Sequence, residues 1–70
     1  MIHITITETE ILATENGKLL GKIDFMLSDN KMSILHTYAY ESGRRIGTLL
    51  MQNAVEWAKE HGYMIIPVCS

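Results

Sequence analysis

An α+β fold, an antiparallel β-meander followed by one β–α–β unit, is what this chain of 70 residues predicts. Three observations carry it: alternating apolar positions through the first half, an Asn-Gly pair between two such stretches, and a switch to three- and four-residue spacing after position 45. Ile2, Ile4 and Ile6 alternate with His3, Thr5 and Thr7, and Glu10 to Thr14 is a short β-compatible run, so the opening stretch forms one or two strands. Asn16-Gly17 follows, and both central positions of a type I′ hairpin turn require positive φ. Gly21, Ile23, Phe25 and Leu27 then alternate with Lys22, Asp24 and Met26. Ser28-Asp29-Asn30-Lys31 is the next turn, and Met32 to Ala39 the next antiparallel strand.

Ile46, Leu49, Leu50, Ala54, Trp57 and Ala58 define the apolar stripe of an amphipathic helix that ends at His61-Gly62. His61 is placed as a cation near the negative end of the helix. Tyr63 to Cys69 is an apolar run without alternation, which suits a strand covered on both faces. The right-handed crossover rule sets it parallel to Met32–Ala39. Trp57, Met26, Met32, Met51 and Met64 are expected to pack in the core.

At this length one small domain, residues 1–70, is expected, with a marginal core. Six Lys and Arg against eight Asp and Glu leave a net charge of −2, so no basic surface for nucleic acid is expected. One cysteine, no positively charged leader and no long apolar run predict a cytoplasmic protein without membrane association. His, Cys and carboxylates do not recur at ligand spacings, so no metal site is expected.

Chemistry concentrates in Tyr40-Glu41-Ser42-Gly43-Arg44-Arg45-Ile46-Gly47-Thr48. Two arginines flanked by glycines at a helix N-terminus offer free backbone N–H groups, the positive dipole end and cationic side chains to a phosphate or pyrophosphate. The same residues also fit an ordinary turn, with Ser42 capping the helix, Gly43 turning the chain, Glu41 on the surface and the arginines solvated. His36 is a candidate general base by residue type, or it is a satisfied core histidine. Cys69 is a candidate nucleophile, or a small buried hydrophobe.

The runs His36-Thr37-Tyr38-Ala39, Ser42-Gly43-Arg44-Arg45-Ile46-Gly47-Thr48-Leu49-Leu50 and Ile65-Ile66-Pro67-Val68-Cys69-Ser70 resemble the minimal, single-domain branch of the GNAT acyltransferases. The resemblance extends from about Ile11 onward. It implies acetyl-CoA as co-substrate and N-acetylation of a primary amine of unknown identity. The loop Gly43, Arg44, Arg45, Ile46, Gly47, Thr48 would hold the pyrophosphate, and Tyr38 and Ala39 would pair with the pantetheine arm in a wedge between two parallel strands. Cys69 matches a cysteine this branch carries beside the acetyl thioester, so the resemblance implies a catalytic role for it; His36 is the second catalytic candidate, on its own residue chemistry and strand position. Two departures from the family pattern stand out. Ser42 replaces Gln or Arg, and Arg45 replaces a glycine, where its side chain crowds the backbone approach while its guanidinium can pair with phosphate. The branch also carries a further helical segment after the Cys-Ser pair, absent from this sequence, which leads to the expectation of an exposed wedge and a homodimer. The alternative function is a non-catalytic GNAT-like remnant that binds CoA weakly or serves as a protein-interaction domain.

Overall fold

The structure, a computed structural model, describes residues 1–68. Six elements follow in order: β1 (His3–Ile6), β2 (Glu10–Glu15), β3 (Lys18–Ser28), β4 (Lys31–Ala39), α1 (Ile46–His61) and β5 (Met64–Pro67). They form one five-stranded sheet in sequential order, antiparallel from β1 to β4, with β5 parallel to β4. The predicted meander and β–α–β unit are therefore present, the opening stretch forming two strands. The Asn16-Gly17 turn has φ of 53° and 79°, as a type I′ hairpin requires, and joins Glu15 to Lys18.

One face of the sheet holds the core. Ile11, Ala13, Ile23, Phe25, Met32 and Ile34 meet Ile46, Leu50, Ala54 and Ala58 of α1, all essentially without solvent exposure. The two alanines let the helix axis approach the strands, and Phe25 packs against Trp57 with ring centroids 6.0 Å apart. Gly62 ends the helix in the left-handed conformation, φ 76°, and the Tyr63 N–H returns to the Ala58 carbonyl at 2.8 Å. His61 sits in the last turn, its Nδ1 2.8 Å from the Trp57 carbonyl oxygen.

Two irregularities break the period-2 pattern. Pairing moves from Ala13↔Gly21 to Thr14↔Leu19, so Leu20 and Gly21 are both buried. Likewise Phe25 pairs with Ile34 and Asp24 with His36, which leaves Leu35 as the extra residue of a bulge in β4.

Four expectations are corrected. Arg45, not Ser42, occupies the N-cap of α1, and no side-chain hydrogen bond caps the helix. Met26 and Met64 are exposed rather than packed in the core, because Met26 projects from the sheet face opposite α1 and Met64 opens the edge strand. β5 is not covered on both faces: among the described residues it is an edge strand, with Met64 58% exposed and Val68, just after it, 60% exposed. His36 is exposed and not a core histidine, because the Leu35 bulge carries it past the end of the buried run Met32–Ile34.

Candidate functional site

β4 and β5 pair over only four residues, from Lys31↔Met64 to Ile34↔Pro67. The last bond runs from the Val68 N–H to the Ile34 carbonyl at 3.1 Å. Beyond it the outer edge of β4, Leu35 to Ala39, has no strand partner among the described residues. The bulge at Leu35 contributes to the parting, because it increases the local twist of β4 at the point where the pairing ends. The result is a wedge whose β4 side carries Tyr38 and Ala39.

At the mouth of the wedge the chain turns into α1 through Tyr40 to Arg45. Tyr40 is tied back by its N–H to the Leu20 carbonyl at 2.8 Å, and the Leu49 N–H closes the first helical turn on the Arg45 carbonyl at 3.0 Å. Between these two bonds, the amides of Glu41 to Thr48 find no protein acceptor among the described residues. This row of donors coincides with the positive end of a 16-residue helix, an arrangement suited to an anion. Gly43 takes φ 81°, and Arg45 takes φ 53° and ψ 42°, the left-handed conformation that glycine adopts without steric penalty. The loop thus keeps a glycine-type backbone while carrying an arginine.

The two arginines have different environments. Arg44 makes a bidentate pair with Glu15, Nη1–Oε1 at 2.7 Å and Nη2–Oε2 at 3.3 Å, and lies 3.7 Å from Glu41. Glu41 also accepts from Lys18 Nζ at 2.9 Å, so it is engaged in a network rather than left as free loop surface. The N-terminal amine lies 3.2 Å from Glu15 Oε2. Arg45 has no carboxylate within ion-pair distance among the described residues and is the cation left available beside the unpartnered amides. Together these pairs tie the β2–β3 turn to the loop that precedes α1.

Hydrogen bonds from Arg44, and then from the N-terminal amine, hold the Glu15 carboxyl down from the ordinary 4.5 to about 2. The folded-state value is depressed, so the associated stabilisation is complete above pH 4.5 and is lost as pH falls from there towards about 2. Glu15→Gln is expected to flatten that part of the acid-unfolding curve, measured by circular dichroism, and to leave the curve above pH 5 parallel to wild type. An unaltered acid limb would show that the pair does not form in solution.

His36 lies on the sheet face opposite α1, across from Asp24, at the first residue after the bulge. Its ring is 5.9 Å from that of Tyr38, and the Tyr38 and Tyr40 rings stack at 6.1 Å. Lys22, opposite Tyr38, pairs with Glu10 Oε2 at 3.0 Å and Asp24 Oδ1 at 3.3 Å and stands 5.5 Å from the Tyr38 ring. Hydrogen bonding to Glu10, and then to Asp24, raises the affinity of Lys22 for its proton. Ala39 lies across from Gly21, and Ile46, Gly47 and Thr48 open the helix. Cys69 lies outside the described residues. Periodicity missed Glu15, Lys18 and the Glu10–Lys22–Asp24 cluster, whose partners come from separate strands or loops; only the opposite charges flanking the Asn-Gly turn hinted at them.

The family model for GCN5-related N-acetyl-transferases matches residues 4–70. The chain belongs to this family. Among similar solved structures is the PaiA N-acetyltransferase from Thermoplasma acidophilum in complex with coenzyme A, with a TM-score of 0.69 and 25% identity over 76% of this chain and 35% of the other. Another is a GNAT-family acetyltransferase from Streptococcus pneumoniae, with a TM-score of 0.66 and 18% identity over 90% of this chain and 51% of the other. The chain therefore spans between about a third and half the length of these two structures. No curated protein matches it. The mixed five-stranded sheet with one helix matches the GCN5-related fold over the aligned part of both structures.

Proposed function

We propose that this chain binds acetyl-CoA in the β4–β5 wedge and transfers the acetyl group to a primary amine. The observation that carries this reading is the parting of two parallel strands beside a row of unpartnered amides at the N-terminus of α1. The PaiA structure, which contains coenzyme A, supports the choice of carrier. Amides from Gly43 to Thr48 receive the pyrophosphate, Arg45 neutralises part of its charge, and the edge of β4 at Tyr38 and Ala39 pairs with the amides of the pantetheine arm. Arg44 contributes by holding the loop through Glu15 rather than by reaching the ligand.

Transfer is direct. His36 accepts a proton from the incoming ammonium, and the freed nitrogen lone pair attacks the thioester carbonyl carbon. A C–N bond forms, backbone donors in the wedge stabilise the oxyanion, the C–S bond breaks, and the second N–H proton passes to the departing thiolate. Cys69→Ala is expected to retain turnover by this route.

Arg45→Glu tests the reading of the loop. It places a carboxylate where the pyrophosphate would sit, and is expected to weaken acetyl-CoA binding by at least about tenfold by calorimetry, with little change in melting temperature because Arg45 is exposed. Undiminished affinity would put the carrier elsewhere. Tight binding by the wild type without thiol release on any amine would make the chain a CoA-binding module rather than an enzyme.

A further inference from the structure

The sheet has an open edge on the side away from the wedge. Its order is β1-β2-β3-β4-β5, so among the described residues the two edges are β1 and β5. In antiparallel pairing the N–H and C=O of one residue point to the same side, and successive residues alternate. The Thr7 N–H bonds the Glu10 carbonyl at 2.8 Å, and His3 and Thr5 turn their backbone groups to the same side, towards β2. Those of Ile4 and Ile6, and of Ile2 just ahead of the strand, therefore point outward, where no described strand receives them.

The two edges differ in chemistry. On β5 the N–H groups of Met64 and Val68 bond β4, so position 67 turns outward, and there proline supplies no donor. Between Ile2 and Thr7 there is no proline, lysine or carboxylate, the residues that ordinarily keep an edge from pairing. The α1 side of β1 is also apolar and incompletely covered. Ile4 and Ile6 stand across from Ala13 and Ile11 on the core face, yet they are half-buried where those partners are fully buried, because α1 lies over β2 to β5.

We infer that β1 pairs with β1 of a second copy of this chain, antiparallel about a two-fold axis at Ile4, which joins the two five-stranded sheets edge to edge. Self-complementarity sets the register. Ile4 meets its own counterpart, Ile2 meets Ile6 of the second copy, and each outward N–H and C=O of the three isoleucines gains a partner. The same register carries the apolar row across the junction, and on the other face it sets His3 opposite Thr5 of the second copy, with no like charges opposed. A shift of one residue would put isoleucine against threonine and outward groups against inward ones. The pairing adds cover to a core that is small at 70 residues. Both wedges lie at the far edges and stay open, so the inference does not depend on acetyl transfer.

The test is sedimentation equilibrium of the full chain over a concentration series, read beside amide hydrogen exchange. The mass should rise towards that of two chains, and the Ile4 and Ile6 amides, which face solvent in the single chain, should gain protection in step with it. His3→Lys together with Thr5→Lys opposes like charges at both crossings and should weaken the dimer about tenfold. His3→Glu together with Thr5→Lys opposes unlike charges there and should tighten it, an effect that added salt removes. Both positions face solvent, so the melting temperature of dilute protein should hardly change. If a variant does not fold, the wild-type exchange pattern still decides. A chain that stays single at millimolar concentration, protection gained along β5 instead of at Ile4 and Ile6, or a dimer indifferent to both double variants would overturn the inference. A parallel acetyl-CoA titration separates the two readings: a β1 dimer without acetyl-CoA binding removes the transfer reading alone, and binding by a chain that stays single removes the dimer alone.

Discussion

His36→Gln is expected to lower kcat about a hundredfold or more, the size of effect that loss of a positioned general base produces, with acetyl-CoA affinity unchanged. Glutamine keeps a polar side chain of similar reach but cannot take the proton from the acceptor. The substitution separates chemistry from folding because His36 is exposed, with its ring 5.9 Å from that of Tyr38. Melting temperature should therefore hardly move, as for other surface substitutions. Steady-state thiol release against amine concentration gives both parameters. A kcat within twofold of wild type would assign the proton to another group, and a parallel fall in acetyl-CoA affinity would make His36 part of the wedge rather than of the proton path.

Gly21→Ala is expected to be the most damaging single-methyl addition in the fold. A Cβ at position 21 would stand 2.5 Å from the Tyr38 carbonyl oxygen, 2.7 Å from Ile46 Cγ2 and 3.2 Å from Leu50 Cδ1. The first of these is backbone and cannot swing aside, and the second is the opening residue of α1. Replacing a strand glycine by alanine ordinarily stabilises by reducing the freedom of the unfolded chain, so the contact decides the sign. Overpacking of this kind costs about 2–3 kcal/mol, which in a domain of this size lowers Tm by about 10–20 °C. Against a total of roughly 4–10 kcal/mol for such a domain, that is a large share. Because the clash pushes apart β4 and the start of α1, acetyl-CoA affinity should fall as well. A melting temperature within about 3 °C of wild type would mean that β3 and β4 are less tightly apposed than the structure has them.

The elements were legible where local pattern and tertiary demand agree. The Asn16-Gly17 turn needs positive φ at both residues and has it, and the 3.6-residue stripe of α1 buries Ile46, Leu50, Ala54 and Ala58 as its spacing requires. What stayed hidden arises between distant residues. Leu35 is a bulge only because Phe25 and Asp24 pair with Ile34 and His36, and no alternation in β4 announces it. That one extra residue decides between the two readings of His36, placing it exposed across from Asp24 rather than in the core. Ser42 has the chemistry of an N-cap, yet the helix begins at Ile46 behind a left-handed Arg45. Arg44 looked equivalent to Arg45 in sequence, and only the fold, which brings Glu15 across 29 positions, distinguishes them. The glycines and arginines of the loop proposed to hold the anion stood out in the sequence; the wedge needed the register of β4 with β5.

The most direct measurement is the amide-resolved titration of acetyl-CoA into the labelled protein, with desulfo-CoA and ATP as controls. Perturbations concentrated at Gly43–Thr48 and Tyr38–Ala39, reproduced by desulfo-CoA and restricted to the loop with ATP, are the expected result. Silence at both segments under saturating acetyl-CoA, or shifts confined to other parts of the sheet, would contradict the assignment of the wedge as an acyl-carrier site.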